Sequence, residues 1–171
     1  YAQAEDQFST FIDRFPNSAS AVEARFYLGE LQRKAKKYNA ARHTFQDFEL
    51  RYKDHPKATD AWWNLGEIYA LEHDYAEAGQ AFSKLKSLHP KSARAAEALL
   101  MASRYFLTSG DTENARTVLN AILLEYPKAG VRFEAQLQLG RLYLARGEYE
   151  RSLRELSRLL AEAITADMRS E

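Results

Sequence analysis

Residues 61–90 read AWWNLGEIYALEHDYAEAGQAFSKLKSLHP, and this stretch decides the fold. Trp62, Leu65, Gly66 and Tyr69 follow the i, i+3, i+4, i+7 spacing of a helix face. His73-Asp74 then reads as a short turn after a helix C-terminus. Ala78 and Phe82, four residues apart, open a second helix, and Pro90 marks the next turn. The stretch is a helix pair.

The pattern recurs at a step of 37 residues. Ala24, Ala61, Ala98 and Ala135 align, as do Gly29, Gly66, Ser103 and Gly140. So do Ala4, Ala41, Ala78, Ala115 and Ser152, and the large series Phe8, Phe45, Phe82, Leu119 and Leu156. Tyr1, Tyr38, Tyr75 and Tyr149 share a register that Thr112 breaks, and Pro16, Pro90 and Pro127 share another. Each unit is helix A, tight turn, helix B, proline-marked turn. The expected B helices are 1–15, 38–52, 75–88, 112–125 and 149–167, and the expected A helices are 19–35, 57–72, 92–108 and 130–146. Ser18 and Ser92 are the expected N-caps. Small residues at 29, 66, 103 and 140 and at 41, 78, 115 and 152 would let the two helices of a unit approach, with the Phe/Leu series plugging the gap towards the next unit. One pair cannot bury its apolar face alone, so stacked pairs must share a core.

Trp62-x2-Leu65-Gly66-x2-Tyr69, Ala78-x3-Phe82 and Pro90 resemble the tetratricopeptide repeat (TPR) family at its signature positions. Leu139-Gly140-x2-Tyr143 and Leu28-Gly29 with Ala41 and Phe45 repeat the likeness, and Ala102-Ser103 departs from it. The resemblance implies an all-α, right-handed TPR solenoid of antiparallel helix pairs: about nine helices, four pairs behind a leading helix B. It also implies one domain over 1–171, with a partial repeat at 1–15 and repeats at 19–52, 57–88, 92–125 and 130–167, cut from a longer chain. The 37-residue unit exceeds the usual ~34, and the extra residues fall in the B-to-A turn. Phe8, Phe11, Phe15, Pro16, Ser18, Ala21 and Ala24 carry a further likeness to long-period TPR proteins of the bacterial envelope, of the outer-membrane assembly lipoprotein and Tol-Pal coordinator kinds. That likeness implies a periplasmic or outer-membrane-associated location.

Composition narrows the function. Twenty-four Lys and Arg balance twenty-four Asp and Glu, so no basic excess points to nucleic acid. No apolar run reaches the ~18–20 residues of a membrane span. Cysteine is absent, which removes disulfides, thiolate metal sites and a cysteine nucleophile. His43, His55, His73 and His89 form no HxxxH or HExxH pair, and no nucleotide-binding or nucleophile motif occurs. A non-enzyme without metal or cofactor is expected, with a protein or peptide segment as partner.

In TPR solenoids the A helices line the concave groove, so the resemblance places contacts on A-helix residues beside the core. Phe26, Trp63, Leu100 and Leu137 would form an apolar ladder, unless they pack between A helices. Glu30, Glu67, Arg104 and Arg141 would form a charge row that changes sign halfway, with Arg33, Leu107 and Leu144 beyond it. An amphipathic helix or extended peptide suits that layout. Trp62 is assigned to the core. Glu23, Asp60, Glu97 and Glu134 are read as favouring the helix dipole. Arg151, Arg154 and Arg158 are read as a solvated outer face. Phe26 and Glu30 stand where carboxylate-clamp TPRs carry Lys and Asn, which argues against a chaperone tail as ligand. Self-association through the repeat ends is the second reading.

Overall fold

A computed structural model describes residues 1–167, with side chains through residue 162. Among the described residues it contains nine α-helices and no strand. They are α1 (Ala2–Arg14), α2 (Ala19–Lys34), α3 (Tyr38–Arg51), α4 (Ala58–Leu71), α5 (Tyr75–Leu88), α6 (Ala95–Thr108), α7 (Thr112–Glu125), α8 (Arg132–Ala145) and α9 (Tyr149–Asp167). The 37-residue step survives into the helix ends. The B helices α3, α5, α7 and α9 start at 38, 75, 112 and 149, and the A helices α4, α6 and α8 end at 71, 108 and 145. Two compact units form, Tyr1–Ser92 with α1–α5 and Ala93–Glu171 with α6–α9. Within each, consecutive helices pack on one another.

The A-to-B turn repeats the same backbone. Lys36, His73, Gly110 and Gly147 all take positive φ, at 59°, 65°, 84° and 74°. In each turn two amides close back onto the helix. Lys37 N donates to Gln32 O and Lys36 N to Arg33 O, both at 2.9 Å, and Asp74 and His73 bond in the same way to Tyr69 and Ala70. This left-handed cap satisfies carbonyls that the helix end leaves open. Glycine fits it without cost at 110 and 147, and Lys36 and His73 carry a Cβ into a region that disfavours one.

The core explains the small residues. A Cβ added to Gly29 would stand 2.8 Å from the Phe45 ring, and one on Gly66 would stand 2.5 Å from the Phe82 ring. A Cβ on Gly140 would stand 2.8 Å from Leu156. The large series therefore also lies on the glycine of its own pair, a contact beyond the expected one towards the next unit. Phe45 does both, since Phe45, Phe48, Ala61, Leu65 and Ile68 belong to one buried cluster. Ser152 donates to the Gly140 carbonyl at 2.8 Å, so the two small positions do face each other. Ser103, where the third pair has no glycine, has its hydroxyl 2.8 Å from Leu100 O and 2.9 Å from Gln138 Oε1, two acceptors within reach of its one proton. Leu119 is the partner residue at that level, shorter than phenylalanine.

Two capping expectations divide. Ser18 accepts from Ala21 N at 3.0 Å and caps α2. Ser92 does not cap α6, which begins three residues later behind Arg94. The chain spends those residues on a turn, with Ser92 N bonded to His89 O at 3.0 Å. The same extension starts α4 and α8 at 58 and 132. Trp62 is half-buried against the core cluster, with the Lys84 ammonium 5.3 Å from its ring.

Two stability predictions follow from this packing. Gly66→Ala should cost about 1–3 kcal/mol by overpacking against Phe82, and Phe82→Leu should recover part of the loss in the double variant, as read from urea denaturation midpoints. Replacing Lys36 or His73 with Gly should instead raise stability by roughly 0.5–1 kcal/mol, the relief of left-handed strain less glycine's chain entropy. An unchanged or lowered urea midpoint would refute that balance.

Candidate functional site

The A helices position the expected contact residues, and the structure sorts them by depth. Phe26 is only 3% exposed. Its ring meets Phe45 and Phe48 edge-on, each at 5.6 Å. Leu100 is buried at 6%. These two rungs are buried, Phe26 against the rings of the B helix α3. Trp63 is half-buried, with its ring 5.0 Å from Phe82, and Leu137 is half-buried too. Phe26 and Leu100 are thus buried, and Trp63 and Leu137 are the partly exposed members of the ladder.

The charge row separates more sharply. In the first unit Arg33 Nη1 donates to Glu67 Oε2 at 2.7 Å. Trp63 Nε1 donates to the other oxygen of Glu67 at 3.0 Å. Both Glu67 oxygens are thus occupied, and the carboxylate joins α2 to α4. Such a half-exposed pair contributes only about 0–1 kcal/mol, so its effect is on register and orientation. Glu30 is half-buried and forms no ion pair among the described residues.

In the second unit Arg104, Leu107 and Arg141 come together in a cleft of about 500 Å³ between α6 and α8. Leu142 and Ala145 add apolar wall, and Glu134 and Gln138 add polar edge. Arg104 lies 3.9 Å from Glu134, and Glu134 also accepts from Gln138 Nε2 at 2.8 Å. Arg141 is exposed and has no ion partner among the described residues. Leu144, 53% exposed, lies outside this cleft, as does Leu137. The cleft can take a short peptide stretch with an apolar side chain and an acceptor for Arg141.

Sequence reasoning assigned Glu134 to the helix dipole and missed its part in the cleft. Arg42–Glu72 and Arg132–Glu162 share the 30-residue separation of Arg104 and Glu134 but lie at other registers and join other helices, so the 37-residue period gave no signal for it. Further pairs tie neighbouring elements: Lys37 holds Glu5, and Arg146 holds Glu113, which Arg116 of its own helix also holds. The Lys37 ammonium keeps the Glu5 carboxyl below the ordinary carboxylate range, and Arg146 followed by Arg116 does the same for Glu113. On the outer face Arg151 pairs with Glu148 and Arg158 with Glu155. Depressed carboxyls favour the fold only while ionised, so unfolding free energy should fall as pH drops through and below the usual carboxylate range. A urea midpoint constant from pH 6 to pH 3 would refute this.

Among the described residues, no group of three or more His, Asp or Glu side chains could hold a metal ion. No described helix is long and apolar enough to cross a membrane.

Comparison with known proteins agrees with this architecture. Residues 49–169 match the family model described as a tetratricopeptide repeat-like domain, and residues 1–48 match the one described as a tetratricopeptide repeat. No curated protein matches the sequence. Among solved structures the chain is similar to MamA, with a TM-score of 0.66 and 15% identity over 96% of this chain and 89% of that one. It is also similar to TPR-like repeats of a kinesin light chain-like protein of Podosopora anserina, with a TM-score of 0.64 and 14% identity over 99% and 89%. BtubC (BKLC) of P. vanneervenii gives a TM-score of 0.57 and 16% identity over 94% and 69%. Identities this low carry the fold alone. The match of the family model across most of the helix pairs, with glycine-backed A helices and left-handed A-to-B turns, places this chain in the tetratricopeptide repeat family.

Proposed function

We propose that this chain is a non-catalytic protein-interaction scaffold that seats a peptide or helix of a partner protein against its A helices. The observation that carries the reading is the α6–α8 cleft, where Arg104, Leu107 and Arg141 gather beside Glu134 and Gln138. An open cleft with apolar wall, one unpaired guanidinium and few polar edges is the makeup of a peptide seat. Glu67 is held by Arg33 and Trp63 in the first unit, so the second unit is the better-supported seat. The Phe-rich long-period signature of Phe8, Phe11, Phe15, Pro16 and Ser18 supports a place in bacterial cell-envelope assembly or maintenance, in or facing the periplasm. Neither nucleic acid nor membrane insertion is part of this function, in keeping with the balanced charge.

The two arginines are exposed, so reversing them tests the seat without opening the core. Leu100 does not serve for this, because an aspartate there would bury a charge. Affinity capture from the envelope fraction of the source cells should retain a protein on the wild-type chain. The Arg104→Glu, Arg141→Glu variant, folded by circular dichroism, should lose at least tenfold of it. Equal retention by both baits would overturn the seat, and recovery of a partner only from the cytosolic fraction would overturn the location.

A further inference from the structure

The α6–α8 cleft repeats the registers of α2 and α4 with its charges rearranged. Leu107 and Arg141 stand two 37-residue steps on from Arg33 and Glu67. In the first unit those registers hold an ion pair at 2.7 Å, and Trp63 Nε1 donates to the second Glu67 oxygen at 3.0 Å. That carboxylate is used up inside the chain. In the second unit the cation sits on the later helix, and a leucine occupies the register of its partner. Arg141 is exposed, and no ion pair holds it among the described residues.

The acidic residue of the cleft makes its contacts elsewhere. Glu134 accepts from Gln138 Nε2 at 2.8 Å and lies 3.9 Å from Arg104. The lining thus sets two guanidiniums against one carboxylate, beside the apolar side chains of Leu107, Leu142 and Ala145. An open guanidinium favours a carboxylate, which it can bind through two parallel hydrogen bonds, over a neutral acceptor.

Shape decides the form of the ligand. The α8 side of the cleft runs from Glu134 to Ala145, about 16 Å of helix. Spread over that length, about 500 Å³ gives a section of about 30 Å². An extended chain, spaced ~5 Å from its neighbours in a sheet, fits such a section. A helix ~10–12 Å across would stand mostly outside it. Arg141 and Ala145 lie one turn apart, about 6 Å along α8. Residues i and i+2 of an extended chain span roughly the same distance. Polar side chains stand at both ends of the cleft, Gln138 at one and Thr108 and Thr112 at the other, which suits a chain that passes through.

We propose that the cleft binds an extended internal segment of a partner protein carrying Asp or Glu at position n and a large aliphatic residue at n+2. The carboxylate pairs with Arg141, and the aliphatic side chain lies over Leu107 and Ala145. This rests on the peptide seat described above and adds the chemistry, spacing and conformation of its ligand.

The probe is a labelled peptide blocked at both ends, with Glu-Thr-Leu flanked by Gly and Ser, titrated with the intact chain and read by fluorescence anisotropy. It should bind saturably, and the Gln-Thr-Leu peptide at least fivefold more weakly. Setting Glu and Leu four residues apart, the helical spacing, should weaken binding as much. Arg141→Glu, an exposed change that spares the core, should reverse the preference in favour of Lys-Thr-Leu. Equal binding of the Glu and Gln peptides, a preference that survives Arg141→Glu, or no saturable binding by any of them would overturn the proposal. A Gln-Thr-Leu peptide with a free carboxyl terminus that binds as tightly as the probe would move the carboxylate to a chain end and overturn the internal segment. Dimerisation of the chain in light scattering that the probe abolishes would assign the cleft to a second copy and overturn the partner. The seat itself is decided by the Arg104→Glu, Arg141→Glu capture, so a partner lost by that variant, together with indifference to the peptide carboxylate, would leave the seat standing and sink only its acidic ligand.

Discussion

The contact on which the rest depends is a side chain laid on a glycine. Phe45 on Gly29, Phe82 on Gly66 and Leu156 on Gly140 set how closely the two helices of a pair approach. With no Cβ in the way, a whole ring fits between the helix backbones and is buried completely, as Phe45 and Phe82 are. Burying each such ring contributes on the order of 1.5–3 kcal/mol. Phe45 also becomes the floor on which α4 rests, through Ala61, Leu65 and Ile68. A local close approach is thereby converted into a surface that neighbouring pairs can extend, which is how a repeat protein builds a core without long-range topology.

Two lesser devices keep the pairs in register. The left-handed turn at 36, 73, 110 and 147 fixes the angle at which helix B leaves helix A. Ion pairs between elements, Lys37 with Glu5, Arg42 with Glu72, Arg33 with Glu67 and Arg132 with Glu162, then fix how the elements meet. Their sign is not constant, since a basic residue of the later element meets Glu5 and an acidic one meets Arg42. Partly exposed pairs of this kind contribute little energy. Mismatched junctions would set like charges against each other, so the alternation disfavours wrong stacking more than it stabilises the right one.

The candidate site illustrates how a packing position and a recognition position can lie next to each other. Trp63 presses on Phe82 and at the same time gives its indole N–H to Glu67, which Arg33 also holds. Those groups are satisfied within the protein and have little left to offer a ligand. Arg104 and Arg141, in the equivalent row, stand at an open cleft in whose lining Glu134 is the acidic residue. The difference comes from one aromatic residue and one sign of charge, in helices that otherwise follow the same register.

Much of this was legible in the amino-acid sequence, because a 37-residue period reports every interaction that recurs in each unit. The helix order, the tight turn after each A helix and the closeness of the small positions all recur and were readable, and the Ser18 cap was readable from its local sequence. What the period cannot report is depth. Phe26 and Leu100 occupy the register of the half-buried Trp63 and Leu137, yet they lie in the core, because exposure depends on the size of every neighbouring side chain. Nor can it report partners such as Glu134 for Arg104, or the three residues by which α6 starts beyond Ser92. Sequence by itself determined the repeat and its local geometry, since those follow from backbone propensities and spacing. Tertiary structure alone decided which side chains are spent on packing and which stand open, since that is settled by the helices that come to lie beside them.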